Sequence, residues 1–135
     1  MGNLVTSRCN CGQVTARATG EPLSIVNCHC TECRRATGAA YGTVLYFPVD
    51  AVETAGRTSR HDMLSDQGND VSRHFCPFCG SQMFVRSGAF PNLVGLRAGT
   101  LEDTRHVVPQ RNVFTASKIE STPLDPDLPA FPEMP

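Results

Sequence analysis

The sequence predicts a mainly β domain of short strands with little helix, and three observations carry that expectation. Gly and Pro together number 21 among 135 residues, a density of breakers that suits frequent turns. Aromatic residues are 7% and Trp is absent, a mix that favours short strands over long helices. Apolar residues recur at period two in several short runs, the pattern of half-buried strands. At this length a single domain with its own core is expected.

The elements follow in order. Asn3 to Arg8 and Gln13 to Thr19 read as two strands, the second alternating Val14, Ala16 and Ala18 with Gln13, Thr15 and Arg17, and Cys9 to Gly12 connects them tightly. Leu23 to Asn27 reads as a further strand that delivers Cys28-His29-Cys30. A short helical turn follows, with Thr31 as its cap, Glu32 to Ala36 as its body and Gly38 as its end, which places Cys33 one turn from Cys30. Tyr41 to Phe47 is β-branched and aromatic. Ser59 to Ser65 and Val71 to Phe75 flank the polar turn Asp66-Gln67-Gly68-Asn69-Asp70, and Gln82 to Arg86, Leu93 to Ala98 and Asn112 to Ala116 complete about eight short strands. The expected organisation is a metal-binding domain over 1–121 and a Pro-rich tail over 122–135. Five of the ten Pro fall in that tail, which should run extended, draped on the domain through Leu124, Leu128, Phe131 and Met134 or loose in solvent, with packing the preferred reading.

Lys and Arg total 12 against 13 Asp and Glu, so the chain carries no overall basic footprint for nucleic acid or an anionic membrane. The most apolar window, Gly38 to Val49, is 12 residues long, well short of a membrane span. The N-terminus lacks the pattern of a secretory signal and no Asn-x-Ser/Thr acceptor occurs, which points to a cytoplasmic location. Met1-Gly2-Asn3-Leu4-Val5-Thr6 fits the loose consensus for N-myristoylation, a pattern that six such positions often match by chance.

The outlying number is seven Cys, an odd count that disulfides alone cannot consume. In a reducing compartment, clustered Cys read first as metal ligands. The clusters are Cys9-x-Cys11, Cys28-x-Cys30-x-x-Cys33 and Cys76-x-x-Cys79. In a C-x-x-C knuckle two thiolates turn toward one ion while backbone N–H groups point at the sulfurs, and thiolate-only tetrahedral sites favour Zn²⁺. Seven sulfurs divide naturally into four and three: a closed structural site and an open site with a vacant position, as in catalytic zinc sites. Spacing alone also permits Cys9 and Cys11 to join Cys28 and Cys30, since 16 residues separate Cys11 from Cys28. The middle cluster holds three Cys within six residues and can form a three-ligand site unaided, leaving the first and last pairs for each other.

Three segments carry a resemblance. Arg8-Cys9-Asn10-Cys11-Gly12, the run from Cys28-His29-Cys30 through Thr31-Glu32-Cys33-Arg34-Arg35-Ala36-Thr37-Gly38, and Arg73-His74-Phe75-Cys76-Pro77-Phe78-Cys79-Gly80-Ser81 resemble the glutathione-dependent formaldehyde-activating enzyme family, which includes centromere protein V. Phe114 to Lys118, Asp127-Leu128-Pro129 and Glu133-Met134-Pro135 are similar too, so the likeness covers nearly the whole chain. It implies a β-tent of stacked antiparallel sheets, a structural zinc on Cys9, Cys11, Cys76 and Cys79, and a second zinc on Cys28, Cys30 and Cys33. Members commonly carry a His before the last strand's aliphatic and a Trp soon after the Ser-Lys pair, where this chain has Asn112 and, near the second position, Ser121.

The resemblance implies a zinc-dependent carbon–sulfur lyase, similar to S-(hydroxymethyl)glutathione synthase, with Cys28, Cys30 and Cys33 at the catalytic site. A thiol such as glutathione is then the natural fourth ligand, and Arg34 and Arg35 directly after Cys33 are placed to offer a guanidinium to one of its carboxylates. His29 lies between two ligands and points away from both in extended chain, so hydrogen bonding to nearby backbone is its expected role, and His74 is expected to be structural. Two other readings stand beside this one. The chain could be a zinc-stabilised binding module without chemistry, or the middle cluster could be a redox switch that releases zinc on oxidation.

Overall fold

Residues of alternating character place their side chains on opposite faces of a strand, and the computed structural model, which describes residues 3–135, puts both faces to use. Met1 and Gly2, the head of the acylation-like pattern, lie outside the described residues. Among the described residues ten strands follow one another: β1 (Leu4–Arg8), β2 (Thr15–Thr19), β3 (Ser24–Cys28), β4 (Gly42–Pro48), β5 (Val52–Ala55), β6 (Ser59–Leu64), β7 (Asp70–Phe75), β8 (Gln82–Ser87), β9 (Leu93–Arg97) and β10 (Arg111–Val113). One α-helix among the described residues, α1 (Thr31–Thr37), separates β3 from β4. The strands make a three-stranded sheet in the order β1-β2-β5 and a seven-stranded sheet in the order β10-β3-β4-β9-β8-β7-β6. The fold is thus mainly β, in stacked sheets, as expected. All pairings are antiparallel except β10 with β3, which run parallel.

The inner face of the large sheet carries Ile25, Leu45, Phe47 and Leu96, and these pack against Ala16 and Ala18 of β2. Two alanines on one strand let the sheets approach and leave room for Phe47, which is fully buried. Burying one such side chain contributes about 1.5–3 kcal/mol, so this layer is the mechanical centre of the fold. The other face of the large sheet carries Val26, Val44, Tyr46, Val85, Arg73 and Arg97, which line a cleft. Register confirms that they share a face: Val44 lies opposite Arg97, Tyr46 opposite Gly95, Gly95 opposite Val85 and Val85 opposite Arg73. Gly95 is required there, because a Cβ would sit 2.5 Å from Val44 Cγ1 and 3.0 Å from Val85 Cγ1.

Three elements depart from expectation. β5 was not anticipated, because only Val52 in Val52–Ala55 is even half-buried and no alternation can be read; it forms by pairing with the open edge of β2. The last strand ends at Val113 rather than Ala116, because Phe114 adopts a left-handed φ of 56° and a 3₁₀ turn follows over Thr115–Ser117. The cap of α1 is Cys30, not Thr31: its sulfur accepts the Cys33 amide at 3.2 Å, so a candidate ligand serves as the cap.

The segment over 122–135 bonds to β10 and the turn after it. Asn112 N donates to Pro129 O, Phe131 N to Asn112 O, and Thr115 N to Phe131 O, at 2.9, 2.9 and 3.0 Å. Phe131 thereby packs beside Val26, Val44 and the middle cysteines. No helix among the described residues is long and apolar enough to cross a membrane.

Candidate functional site

The first cysteine group forms where two tight turns meet. Gly12, with φ 84°, donates its amide to Cys9 O, and Gly80, with φ 79°, donates to Cys76 O. Both turns need a residue with positive φ, which Gly supplies without a Cβ penalty. They aim Cys9, Cys11, Cys76 and Cys79 at one point, with all four sulfurs within 4.8 Å of one another. The contacts Cys9–Cys11 and Cys11–Cys76 are 3.6 and 3.7 Å. Tetrahedral zinc with Zn–S bonds near 2.3 Å has sulfur–sulfur edges of about 3.8 Å, so this donor set fits such an ion. Amides complete the shell: Val14 N donates to Cys9 Sγ and Phe78 N to Cys76 Sγ. Asn10 N also donates to Ser81 Oγ, which ties the two turns together. The Ser81 hydroxyl and amide lower the Cys79 pKa to about 5, which favours the ligating form.

The second group assembles locally. β3 ends on Cys28, Cys30 caps α1, and Cys33 sits one turn on, so the three sulfurs lie within 4.8 Å of one another. All three are 6 to 9% exposed, and they head the cleft. Contacts with the Cys28 and Cys30 thiols, and then the charges of Arg97 and Arg73, hold the Cys33 thiol well below its ordinary value. Arg97 Nη1 lies 4.0 Å from Cys33 Sγ. That approach depends on Gly42, the cross-strand partner of Cys28, where a Cβ would come within 2.9 Å of Nη1. The seven cysteines therefore divide four and three in space.

The cleft has a volume of about 740 Å³, within the range of small-molecule sites. Apolar side chains, Val44, Val85, Val113 and Phe114 among them, wall it near the cysteines. Arg35 is exposed and lines it, whereas Arg34 is outside its lining and turns its Nη2 to Thr31 Oγ1 at 3.4 Å. His29 is fully buried and lies outside both cysteine groups. Its ring bonds to the side chain of Asn112 rather than to backbone, while its amide donates to Val113 O and its carbonyl accepts from Ser117. His74 stacks on Phe84 with ring centroids 4.4 Å apart and bonds to Ser72, a structural role. Sequence reasoning passed over Arg73, Arg97 and Tyr46. For Arg97 the signal was a cation closing an otherwise apolar strand, Leu93-Val94-Gly95-Leu96-Arg97, whereas Arg73 lies in the polar run Asp70-Val71-Ser72-Arg73-His74 and left none.

Comparison with known proteins bears on this arrangement. Residues 4–117 match the model of the family described as Glutathione-dependent formaldehyde-activating enzyme. A protein of Halomonas elongata described as "Putative glutathione-dependent formaldehyde-activating enzyme" is 31% identical over 116 residues, covering 80% of this chain and 72% of that protein. A crystal structure of a Rhodobacter sphaeroides protein superposes with a TM-score of 0.60 at 17% identity, over 93% of this chain and 98% of that one, which supports the fold. With the match spanning both cysteine groups, the chain belongs to the glutathione-dependent formaldehyde-activating enzyme family.

Proposed function

We propose that the chain is a zinc-dependent enzyme that joins a thiol, glutathione in the first place, to formaldehyde, and in reverse acts as a carbon–sulfur lyase. The observation that carries this reading is the separation of a three-cysteine group at the head of a cleft from a four-cysteine group outside it. Cys9, Cys11, Cys76 and Cys79 would hold a structural zinc, and Cys28, Cys30 and Cys33 a second. When bound by three thiolates, zinc leaves a coordination position for an outside thiol and favours its ionised form.

The chain's own residues do the rest. In the forward reaction sulfur bonds to the aldehyde carbon, the C=O double bond becomes single, and its oxygen takes up a proton, giving S-(hydroxymethyl)glutathione. Val44, Val85, Val113 and Phe114 exclude water beside the cysteines and so strengthen every charge interaction there. Arg97, next to Cys33, offsets the negative charge of the cysteine group. Confining both reactants in one cleft raises their effective concentration.

The test is the exchange rate between formaldehyde and its glutathione adduct, followed by NMR with zinc-loaded protein. Exchange faster than in buffer, lost in Cys33→Ala, is the expected result. A rate equal to buffer at stoichiometric protein would overturn the reading.

A further inference from the structure

The floor of the cleft holds two arginines with no acid to meet them. Arg73 and Arg97 are 6% and 5% exposed. The salt bridges among the described residues are Arg60–Asp62 and Arg105–Asp103, so no carboxylate lies within 4.0 Å of either floor guanidinium. A buried charge without a partner is strongly destabilising, and proteins keep one where something else completes it.

The two arginines are completed differently. Arg97 turns Nη1 toward Cys33 Sγ, and its Nε and Nη2 are closed off inside the protein. Its charge therefore belongs to the cysteine group. Arg73 donates Nη1 to Met63 Sδ at 3.2 Å, and a thioether is a weak, neutral acceptor. Its Nε is buried without a partner, and its Nη2 has no hydrogen bond to the described residues although the residue lines the cleft. Three cysteinate charges on a divalent ion leave a net −1, which one arginine balances. Arg97 meets that charge most directly, whereas Arg73, which donates to a neutral thioether, faces the space where an outside ligand would lie.

Resting on the thiol-binding reading above, we propose that Arg73 is the specificity-determining residue of the cleft, receiving a carboxylate of the incoming thiol, so that the site accepts carboxylate-bearing thiols over neutral ones. The charges of the lining favour an amino-acid-derived thiol over a phosphorylated one. Glu32, Asp66 and Glu133 also line the cleft against one outer cation, Arg35, and Asp66, Glu133 and Arg35 are exposed. A dianionic phosphate would be repelled on entry past these acids, whereas a ligand bearing both ammonium and carboxylate meets acids outside and a cation at the floor.

The test is calorimetric titration of the zinc-loaded full chain with glutathione and with its diethyl ester, which keeps the thiol and neutralises both carboxylates. The native protein should bind glutathione about tenfold or more tighter than the diester, the scale of one charge-assisted hydrogen bond. Arg73→Met should bring that ratio close to one by weakening glutathione alone, and Arg73→Lys should restore part of it. Equal binding of the two ligands by native protein overturns the proposal, and that measurement does not depend on any variant folding. A preference that survives Arg73→Met also overturns it and moves the role to another cation such as Arg35. Protein that prefers glutathione through Arg73 without accelerating formaldehyde exchange keeps this proposal and loses the catalytic one. Acceleration without a carboxylate preference has the opposite meaning.

Discussion

His29 Nε2 donates to Asn112 Oδ1 across 2.9 Å, at a point where both residues are shut away from solvent. The bond joins the loop between Cys28 and Cys30 to the middle of β10, and Asn112 also anchors the tail through its own backbone. One asparagine thereby links the open cysteine group, the edge of the large sheet and the C-terminal segment.

Asn112→Leu should cost about 1–3 kcal/mol, the penalty for leaving buried polar atoms unsatisfied, since His29 Nδ1 already lacks a partner. Urea unfolding should show a lower midpoint with an unchanged slope. Glutathione binding should weaken as well, because the loop that places Cys28 and Cys30 loses its brace.

Removing single thiols should separate the two cysteine groups. Cys76→Ala should yield unfolded or insoluble protein, because structural zinc in small domains contributes on the order of 10 kcal/mol. Cys33→Ala should stay folded and retain about one zinc per chain. Metal content of the purified variants, together with circular dichroism, decides the matter; a collapsed Cys33→Ala protein would make both groups structural.

Gly95→Ala should destabilise the fold by about 1–3 kcal/mol through overpacking. Its new methyl would meet Val44, Val85 and Tyr46 on the cleft floor. Thermal unfolding measures the cost, and any relief by movement of Tyr46 should appear as weaker glutathione binding.

A strong chelator under reducing conditions should loosen the turns at 9–12 and 76–81 before the sheets. Those turns are joined chiefly through their sulfurs and the Asn10–Ser81 bond, whereas the inter-sheet layer of Phe47, Leu45 and Leu96 contains no ligand. Hydrogen exchange should therefore rise first at Cys11 and Phe78, and added zinc should reverse it.

What could be read from the sequence follows from what leaves a local trace. Ala16 and Ala18 alternate with polar neighbours, so β2 was legible, and the odd count with three cysteines inside six residues pointed to a division into four and three that spacing alone left open. β5 left none, because its formation depends on the free edge of β2 and not on its own side chains. The left-handed Phe114 was hidden because a bulky residue rarely adopts that conformation and nothing nearby marks it. Arg34 and Arg35 drew attention by adjacency to Cys33, yet helix geometry turns Arg34 back to Thr31. Arg73 and Arg97 come together only because β8 lies between β7 and β9 in the large sheet.

The pairing of the tail with β10 has a consequence for the protein in a crowded solution. A bare edge strand offers a row of donors and acceptors on which another chain can add a strand. Here Pro129 and Phe131 occupy that row, and Pro129 and Pro132 have no N–H to present in turn. The opposite edge, β6, carries Arg60, His61 and Asp62, all exposed. Growth of the large sheet therefore meets missing donors at one end and exposed charged side chains at the other.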